Sequence, residues 1–175
     1  NVEHFGSTSV EGLAAKPIID IAVGIPADMH FDTLVECMLA NDLIYYKAFN
    51  HHMPLRRLFV RLCPRDAHKK FPSTFHDEHN IPYEDLIPHK YAHFHVWRYG
   101  ESEWTRHIQF RDYLRVNHCR RDEYGKLKLH LSERDNWNHV MEYNAAKSNL
   151  IREIESEAKQ YFEKLCPSKL HVSEV

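Results

Sequence analysis

A turn of small residues and a lone acidic residue near the start of the chain have the composition of a phosphate and metal site. The turn reads Gly6-Ser7-Thr8-Ser9, and Asp20 follows it inside an apolar stretch. Glycine and small hydroxyl residues let backbone N–H groups approach a bound anion closely. A carboxylate can hold the cation that usually accompanies such an anion. Together the two features predict a site for a phosphate group and its metal ion.

Other polar side chains fall at alternate positions of stretches that we predict to be strands. His93 and His95 share one face of their strand, and Arg57 and Arg61 share one face of another. If these faces coincide with that of Asp20, one surface of the sheet carries a carboxylate, two imidazoles and two guanidinium groups. Such a surface would bind anions and metal ions, whereas the plainer alternative is a solvated sheet face with scattered polar residues.

Hydrophobic periodicity places these residues on a fold of mixed type. Runs rich in β-branched residues predict strands, and apolar residues at helical spacing predict helices, mainly in the C-terminal half. The polar, proline-interrupted segment 64–90 predicts a long surface loop or an insertion. Early strands followed by helices indicate an α+β or α/β sandwich on a mixed sheet. A tight turn and a short helix are predicted over 7–13. The predicted strands are 18–25, 55–62 and 92–98, and the longer predicted helices are 31–43, 104–116, 123–131 and 138–164.

Two lysines lie on or beside the apolar stripes of predicted helices. Lys147 falls on the stripe of the last helix, and Lys128 lies beside the stripe of the preceding one. A lysine among core positions must reach water along its own stem or bind an anion. Contact with solvent and contact with a phosphate therefore both stay open for Lys128 and Lys147.

Length, charge and cysteine spacing exclude several classes of protein. The 175 residues suit one domain, and a formal net charge of -2 gives no overall basic field for nucleic acid. The sequence contains neither a long apolar run that would indicate a membrane span nor a signal-peptide pattern that would indicate export. The four cysteines form no paired motif, and their spacing fits a reducing cytoplasm, where we expect the protein. The chain starts at Asn1, almost inside the first motif, so we expect further residues before it.

Longer stretches of the chain are recognisable as a pattern. Residues 4–23, HFGSTSVEGLAAKPIIDIAV, closely resemble the signature of the GrpB family. The HFHV strand, the FRDYLR run and two Tyr–Lys pairs resemble the same family, so that only 64–90 falls outside the resemblance. The pairs are Tyr124 with Lys128 and Tyr143 with Lys147.

The resemblance implies the fold of the DNA polymerase β-like nucleotidyltransferases. In such a fold a mixed sheet is flanked by helices, and the C-terminal half is helical. The chain would then form a single domain over 1–165, with 64–90 as a loop insertion and 166–175 as a tail.

The resemblance also implies an activity, which is transfer of a nucleoside monophosphate from ATP or another nucleoside triphosphate to an unknown acceptor. It implies Asp20 and Ser7 as catalytic residues and Mg²⁺ or Mn²⁺ as cofactor, with Asp20, His93 and His95 around the metal. We expect no covalent intermediate on serine, because the turn lacks the strand–turn–helix elbow with flanking glycines. The residues expected to bind the nucleotide phosphates are Gly6, Ser7, Thr8, Ser9, Lys16, Arg57, Arg61, Lys128 and Lys147.

The chain departs from the superfamily's set of three acidic metal ligands. The second acidic position is Ala22, and the third falls on the strand of His93 and His95. Mg²⁺ prefers oxygen ligands, and bridging carboxylates are needed to place two ions side by side. One alternative is therefore a nucleotide- or phosphate-binding module without catalysis. A second alternative is a transition-metal site built on His89, His93 and His95.

Overall fold

The structure is a computed structural model that describes residues 1–66, 70–133 and 140–165, with side chains described for all of these except 140–144. These residues group into two compact units. The first comprises Asn1–Ser9 and Ala15–Thr105, and the second comprises Val10–Ala14 and the chain from Arg106 onward. The predicted tail 166–175 and the side chain of Tyr143 lie outside the described residues, and the single domain over 1–165 stays a prediction.

The first unit is built on one mixed sheet of five strands. The strands run in the spatial order β1-β2-β5-β4-β3. β2 and β5 are parallel, and the other neighbouring pairs are antiparallel. The mixed sheet confirms the predicted α+β class. The strand bounds are β1 Val2–Phe5, β2 Ile19–Ile25, β3 Leu43–Tyr45, β4 Arg57–Leu62 and β5 Lys90–Arg98.

Each face of this sheet buries its own apolar cluster, because successive side chains along a strand point to opposite faces. One cluster includes Ile25, Phe59 and Val96, and it packs with helix α1, Val35–Ala40, and the 3-10 turn before it. The other cluster includes Ile44 and Val60. Both faces are therefore partly core, and a polar residue on either face lies beside apolar neighbours.

The segment between β4 and β5 differs from the predicted surface loop. It contains the short helix α2, Tyr83–Leu86, and its Phe75, Ile81 and Leu86 are buried in the cluster around Ile44. The prolines of this segment hide the pattern, because they separate apolar residues that would otherwise show a helical or strand period. The expectation of a plain surface loop is therefore wrong for these residues.

The second unit is helical, as predicted for the C-terminal half. Its helices are α3 Ser102–Val116 (from Arg106 onward), α4 His118–Ser132 and α5 Val140–Leu165. Its core contains Leu114, Tyr124 and Ile154, together with Val10 from the short segment 10–14. α4 begins earlier than predicted because the side chain of Asn117 accepts a hydrogen bond from the Arg120 N–H and caps it.

None of the helices within the described ranges combines the length and the apolar character needed to span a lipid bilayer.

Candidate metal and phosphate site

One carboxylate and two imidazoles meet on one face of the sheet in the first unit. β2 and β5 pair in parallel so that Asp20 lies opposite His93 and Ala22 lies opposite His95. Residues in register on neighbouring strands point to the same face, which brings Asp20, His93 and His95 together. The predicted coincidence of these two faces is confirmed.

The three polar side chains lie at close range. Asp20 Oδ1 is 3.1 Å from Nδ1 of His93 and 3.6 Å from Nε2 of His95. One potential ligand atom from each residue lies within 4.8 Å of the others. The side chains are 28%, 25% and 13% exposed for Asp20, His93 and His95 respectively, so the cluster is half-buried and accessible from one side.

His95 occupies an aromatic niche. Its ring stacks on Trp97 at 5.2 Å and meets the edge of Phe5 at 5.1 Å. Burial lowers the pKa of His95 to about 4, so the imidazole is neutral at physiological pH. Its Nδ1 is buried and has no hydrogen-bond partner among the residues that the structure describes.

Asp20 stays ionised in this environment. Burial on its own would raise the pKa of Asp20, but hydrogen bonding from His93 and the nearby His95 holds the pKa well below its usual range. The 3.6 Å separation from His95 is long for a hydrogen bond, so His93 makes the main direct contact. A carboxylate anion therefore faces two imidazole rings.

The Gly6–Ser9 turn lies directly against this carboxylate. A Cβ on Gly6 would stand 2.4 Å from Oδ2 of Asp20, and Gly6 has a φ of +70°, so the position favours glycine twice over. Ser9 closes the turn by donating from its N–H (3.2 Å) and its Oγ (2.6 Å) to the Gly6 carbonyl. His4 Nε2 lies 2.9 Å from Oγ1 of Thr8. The turn and the carboxylate, predicted from sequence to act together, are thus neighbours, and Ser7 lies within the same turn.

The two arginines lie on the opposite face of the sheet. The partners of His93 and His95 on β4 are Val60 and Leu58. Arg57 and Arg61 flank these two residues along the strand, so their side chains point to the other face. The expectation that all polar faces coincide is therefore wrong for these two side chains. It failed because the alternation within β4 says nothing about its register with β5.

Contacts within the chain already occupy both arginines. Arg57 Nε donates to Oδ1 of Asp32 at 3.0 Å, and its guanidinium lies 4.8 Å from the Phe31 ring centroid. Arg61 donates to the Asn41 carbonyl at 3.3 Å.

Lys16 has a basic neighbour that the sequence reasoning missed. Lys90, at the start of β5, lies over the rings of Tyr46 and Tyr83 at 5.3 and 5.8 Å. Burial, together with the charge of Lys16, lowers the pKa of Lys90 to about 8. A lysine that opens a strand gives no periodic signal, which is why Lys90 was not singled out.

Lys128 and Lys147 belong to the second unit. Lys128 is buried at 8% exposure, and its Nζ lies 4.6 Å from the Tyr124 ring centroid. Burial and the charge of Lys147 lower the pKa of Lys128 to about 8. These two lysines therefore lie close enough to interact, and their contact with a phosphate stays a prediction.

His89 does not belong to the cluster of potential ligands. Its Nδ1 lies 2.9 Å from Asp66 Oδ2. The three potential ligands that lie close together are Asp20, His93 and His95, so Asp20 takes the position that was predicted for His89. The histidine set predicted as an alternative, His89 with His93 and His95, is corrected accordingly.

The donor set suits some metals better than others. Ala22, opposite His95, is fully buried and supplies no second carboxylate. One carboxylate and two imidazoles fit Zn²⁺, Fe²⁺ or a similar ion, whereas Mg²⁺ prefers a full set of oxygen ligands. The residues present fit one ion of the first kind, and they do not supply the bridging carboxylates of a two-ion site.

Comparison with known proteins places the chain in a family. The family model described as GrpB protein matches residues 1–157. The glutamate-rich protein GrpB of Alkalihalophilus pseudofirmus is 30% identical over 157 residues, which cover 90% of this chain and 78% of that protein. The chain belongs to the GrpB family.

Other members of the GrpB family agree in sequence and in fold. A UPF0157 protein of Halalkalibacterium halodurans is 34% identical over 156 residues, which cover 87% of this chain and 64% of that protein, so this GrpB chain spans less than two thirds of that relative. The crystal structure of the conserved protein GrpB from Enterococcus faecalis matches with a TM-score of 0.67 at 30% identity, over 93% of this chain and 82% of that one. These similarities confirm the GrpB resemblance and the α+β fold.

Proposed function

We propose that this GrpB-family chain binds the phosphates of a nucleoside triphosphate at the Gly6–Ser9 turn and transfers the nucleoside monophosphate to an acceptor. The observation that carries the proposal is the contact between the turn and the acid: a Cβ on Gly6 would stand 2.4 Å from Asp20 Oδ2. A glycine turn brings backbone N–H groups close to phosphate oxygens, and a carboxylate beside it holds the accompanying divalent ion.

The reaction can be written without a covalent enzyme intermediate. A nucleophilic oxygen of the acceptor forms a bond to the α-phosphorus, the bond from that phosphorus to the bridging oxygen breaks, and pyrophosphate leaves with the electron pair. The proton of the acceptor passes to water. A bound divalent ion, with Asp20 as a ligand, supplies neutralisation of the phosphate charge. The turn, including Ser7 and Thr8, orients the phosphates in this proposal.

A second candidate function is binding of a nucleotide or phosphate without catalysis. It is favoured by the burial of Ala22, since the position where a second acidic ligand would stand carries a methyl group with no exposed surface. A site with one carboxylate lacks the bridging ligands that hold two metal ions side by side, an arrangement that phosphoryl transfer commonly uses.

Both candidates locate the protein in the cytoplasm. Nucleoside triphosphates are available there, and thiols stay reduced there. Cys37, Cys63 and Cys119 are free thiols in the structure. The proposed partners are a small-molecule nucleotide and an acceptor, and neither a membrane nor a nucleic acid takes part.

The test is calorimetric titration of ATP, GTP, CTP and UTP, each with Mg²⁺, with Mn²⁺, with Zn²⁺ and with chelator. The variants are Asp20→Asn and, as a matched control, Asp32→Asn, which changes a carboxylate paired with Arg57 on the opposite face. We expect metal-dependent binding that Asp20→Asn abolishes and Asp32→Asn retains. Absence of binding for all four nucleotides would overturn both nucleotidyl transfer and nucleotide binding.

Release of pyrophosphate separates the two candidates. Nucleotide-dependent release by the native chain, lost in Asp20→Asn, supports transfer. Binding that survives chelation and Asp20→Asn without release of pyrophosphate would instead support the binding module.

A further inference from the structure

We infer that Asp20, His93 and His95 form a site for a single divalent transition-metal ion of the Zn²⁺ or Fe²⁺ class, and that this site binds its ion without nucleotide. The inference shares with the proposed function the role of Asp20 as a metal ligand. It does not require that a nucleotide binds. It replaces Mg²⁺ as the resident ion with a metal that imidazole prefers.

The distances between the potential ligand atoms are close to, and slightly longer than, those of ligands that share one ion. Nitrogen and oxygen ligands bound at about 2.0–2.1 Å lie roughly 2.8–3.4 Å apart in octahedral or tetrahedral arrangements. Asp20 Oδ1 is 3.1 Å from Nδ1 of His93 and 3.6 Å from Nε2 of His95. The potential ligand atoms all lie within 4.8 Å, so closure around an ion needs small side-chain movements only.

Regular secondary structure and packing hold the ligands in place. Asp20 and the two histidines stand on the adjacent strands β2 and β5 rather than on loops. The ring of His95 is held between Phe5 and Trp97. A rigid position before binding lowers the entropy lost when the metal binds, which favours a site that exists in the apo protein.

Within the described ranges, no other carboxylate belongs to a group of three potential metal ligands. Asp66 Oδ2 lies 2.9 Å from Nδ1 of His89, and Asp77 Oδ1 lies 3.0 Å from Nδ1 of His79. In contrast, one oxygen of Asp20 has two imidazole nitrogens within 3.6 Å. The Asp20 cluster therefore presents one carboxylate and two imidazoles to a common point, which is the number of protein ligands that a metal site with open positions uses.

The donor set also predicts selectivity. Two imidazoles and one carboxylate are characteristic of Fe²⁺ and Zn²⁺ sites with open coordination positions. Open positions on such an ion accept water or a phosphate oxygen, and the Gly6–Ser9 turn lies on the same carboxylate. The inferred ion thereby joins the metal site to the phosphate turn.

The experiment is metal titration of the full chain, stripped with chelator and free of nucleotide. Co²⁺ serves as a spectroscopic probe, since its visible absorption reports nitrogen and oxygen coordination, and Zn²⁺ is then added in competition. Metal content of the protein as purified is measured by mass spectrometry. We expect one equivalent of Co²⁺ with a defined visible band, displacement by Zn²⁺, and no displacement by a large excess of Mg²⁺.

Variants assign the binding to the three residues. His93→Gln and His95→Gln keep a polar side chain of similar size, and we expect each to weaken Co²⁺ binding by at least about 100-fold. His89→Gln removes an imidazole that pairs with Asp66 outside the cluster, and it should leave affinity unchanged. Circular dichroism and thermal unfolding verify that each variant is folded, and Asp20→Asn provides a further ligand variant if a histidine variant is not.

Two results would overturn the inference. One is absence of Co²⁺ and Zn²⁺ binding by the folded native chain. The other is an equal loss of affinity in His89→Gln and His95→Gln, which would assign the binding to scattered surface histidines among the 15 of the chain. Failure of the proposed function is distinguishable, because the metal would then bind and nucleotides would not.

Discussion

The polar side chains on the two faces of the five-stranded sheet differ in the contacts they make. On the face of Asp20, a carboxylate and two imidazoles contact one another. On the opposite face, Arg57 and Arg98 are bound to surrounding loops, with Arg57 paired to Asp32 and Arg98 donating to carbonyls such as that of Met29 at 3.2 Å. The first arrangement leaves donor atoms directed at a common point, and the second satisfies each guanidinium locally.

This difference shows that charge on a sheet is a poor indicator of a ligand site by itself. A guanidinium that already donates to the chain's own oxygens would have to exchange these hydrogen bonds for those of a ligand, at little net gain. Side chains that converge on one point can exchange their hydrogen bonds to one another for bonds to a single ion. The arginines are therefore part of the fold, and the Asp20 cluster is the candidate site.

The largest effect should come from Gly6→Ala, which places a methyl group against Asp20. A non-glycine residue at φ +70° costs roughly 1–2 kcal/mol, and relief of the 2.4 Å overlap with Oδ2 adds about 2 kcal/mol. We expect the free energy of unfolding to fall by about 3–4 kcal/mol and metal binding to be lost. Urea unfolding and Co²⁺ titration measure the two effects.

Gly100→Ala is the matched control for this change. Gly100 also has a positive φ, of +78°, but a Cβ there would meet nothing within 4 Å. It should lose only the conformational term, about 1–2 kcal/mol, and retain metal binding. Equal losses in the two variants would contradict the close contact of the turn with Asp20.

The next prediction concerns Lys90, whose ammonium group lies over two tyrosine rings, whereas Arg57 is held by an ion pair with a carboxylate. Its pKa is about 8 in the folded chain instead of 10.5, so between these values the unfolded chain binds more protons and this group makes stability rise with pH. Lys90→Met should remove about 2 kcal/mol of that rise between pH 8 and 10. Urea unfolding at several pH values measures it, with the exposed Lys47→Met as control.

The quantity that reports on Lys90 is the slope of the free energy of unfolding against pH between pH 8 and 10. The raised pKa values of Tyr46 and Tyr83 make the free energy of unfolding fall with pH only above about pH 10, which lies outside the range from pH 8 to 10. An unchanged slope in Lys90→Met would show that its ammonium group is solvated, and the burial of Lys90 over the two rings would be wrong.

The smallest effect should come from Arg57→Met on the face opposite the candidate site. Its partner Asp32 is half exposed, so loss of the ion pair should lower the free energy of unfolding by only about 1 kcal/mol. Nucleotide and metal affinities should stay within about twofold of native, since a change below 0.4 kcal/mol is expected at a distant, independent site. A large loss of nucleotide affinity in this variant would return Arg57 to the phosphate-binding set.

The sequence predicted most of what depends on local periodicity. The strand predicted over 18–25 is β2, Ile19–Ile25, and its alternation correctly separates Asp20 from the apolar face. The helices of the C-terminal half are also present, and residues from them, among them Leu114, Tyr124 and Ile154, form a common core. The glycine turn before Asp20 was found from residue types alone.

Features that depend on partners distant in the sequence were missed. β1, Val2–Phe5, and β3, Leu43–Tyr45, are too short to show a period, and pairing with longer strands stabilises them. Of the tight turn and short helix predicted over 7–13, the structure has a 3-10 turn at Ser7–Ser9. The opposite orientation of Arg57 follows from the register of β4 on β5, which no local pattern contains.

Anomalous diffraction at the zinc edge, from crystals grown with Zn²⁺ and a nucleoside triphosphate, tests the central claim most directly. The account predicts one anomalous peak at about 2.0–2.2 Å from a carboxylate oxygen of Asp20 and from ring nitrogens of His93 and His95. It also predicts phosphate density between that peak and the Gly6–Ser9 turn. A crystal with no zinc at Asp20, or with zinc only at exposed histidines, would contradict the account.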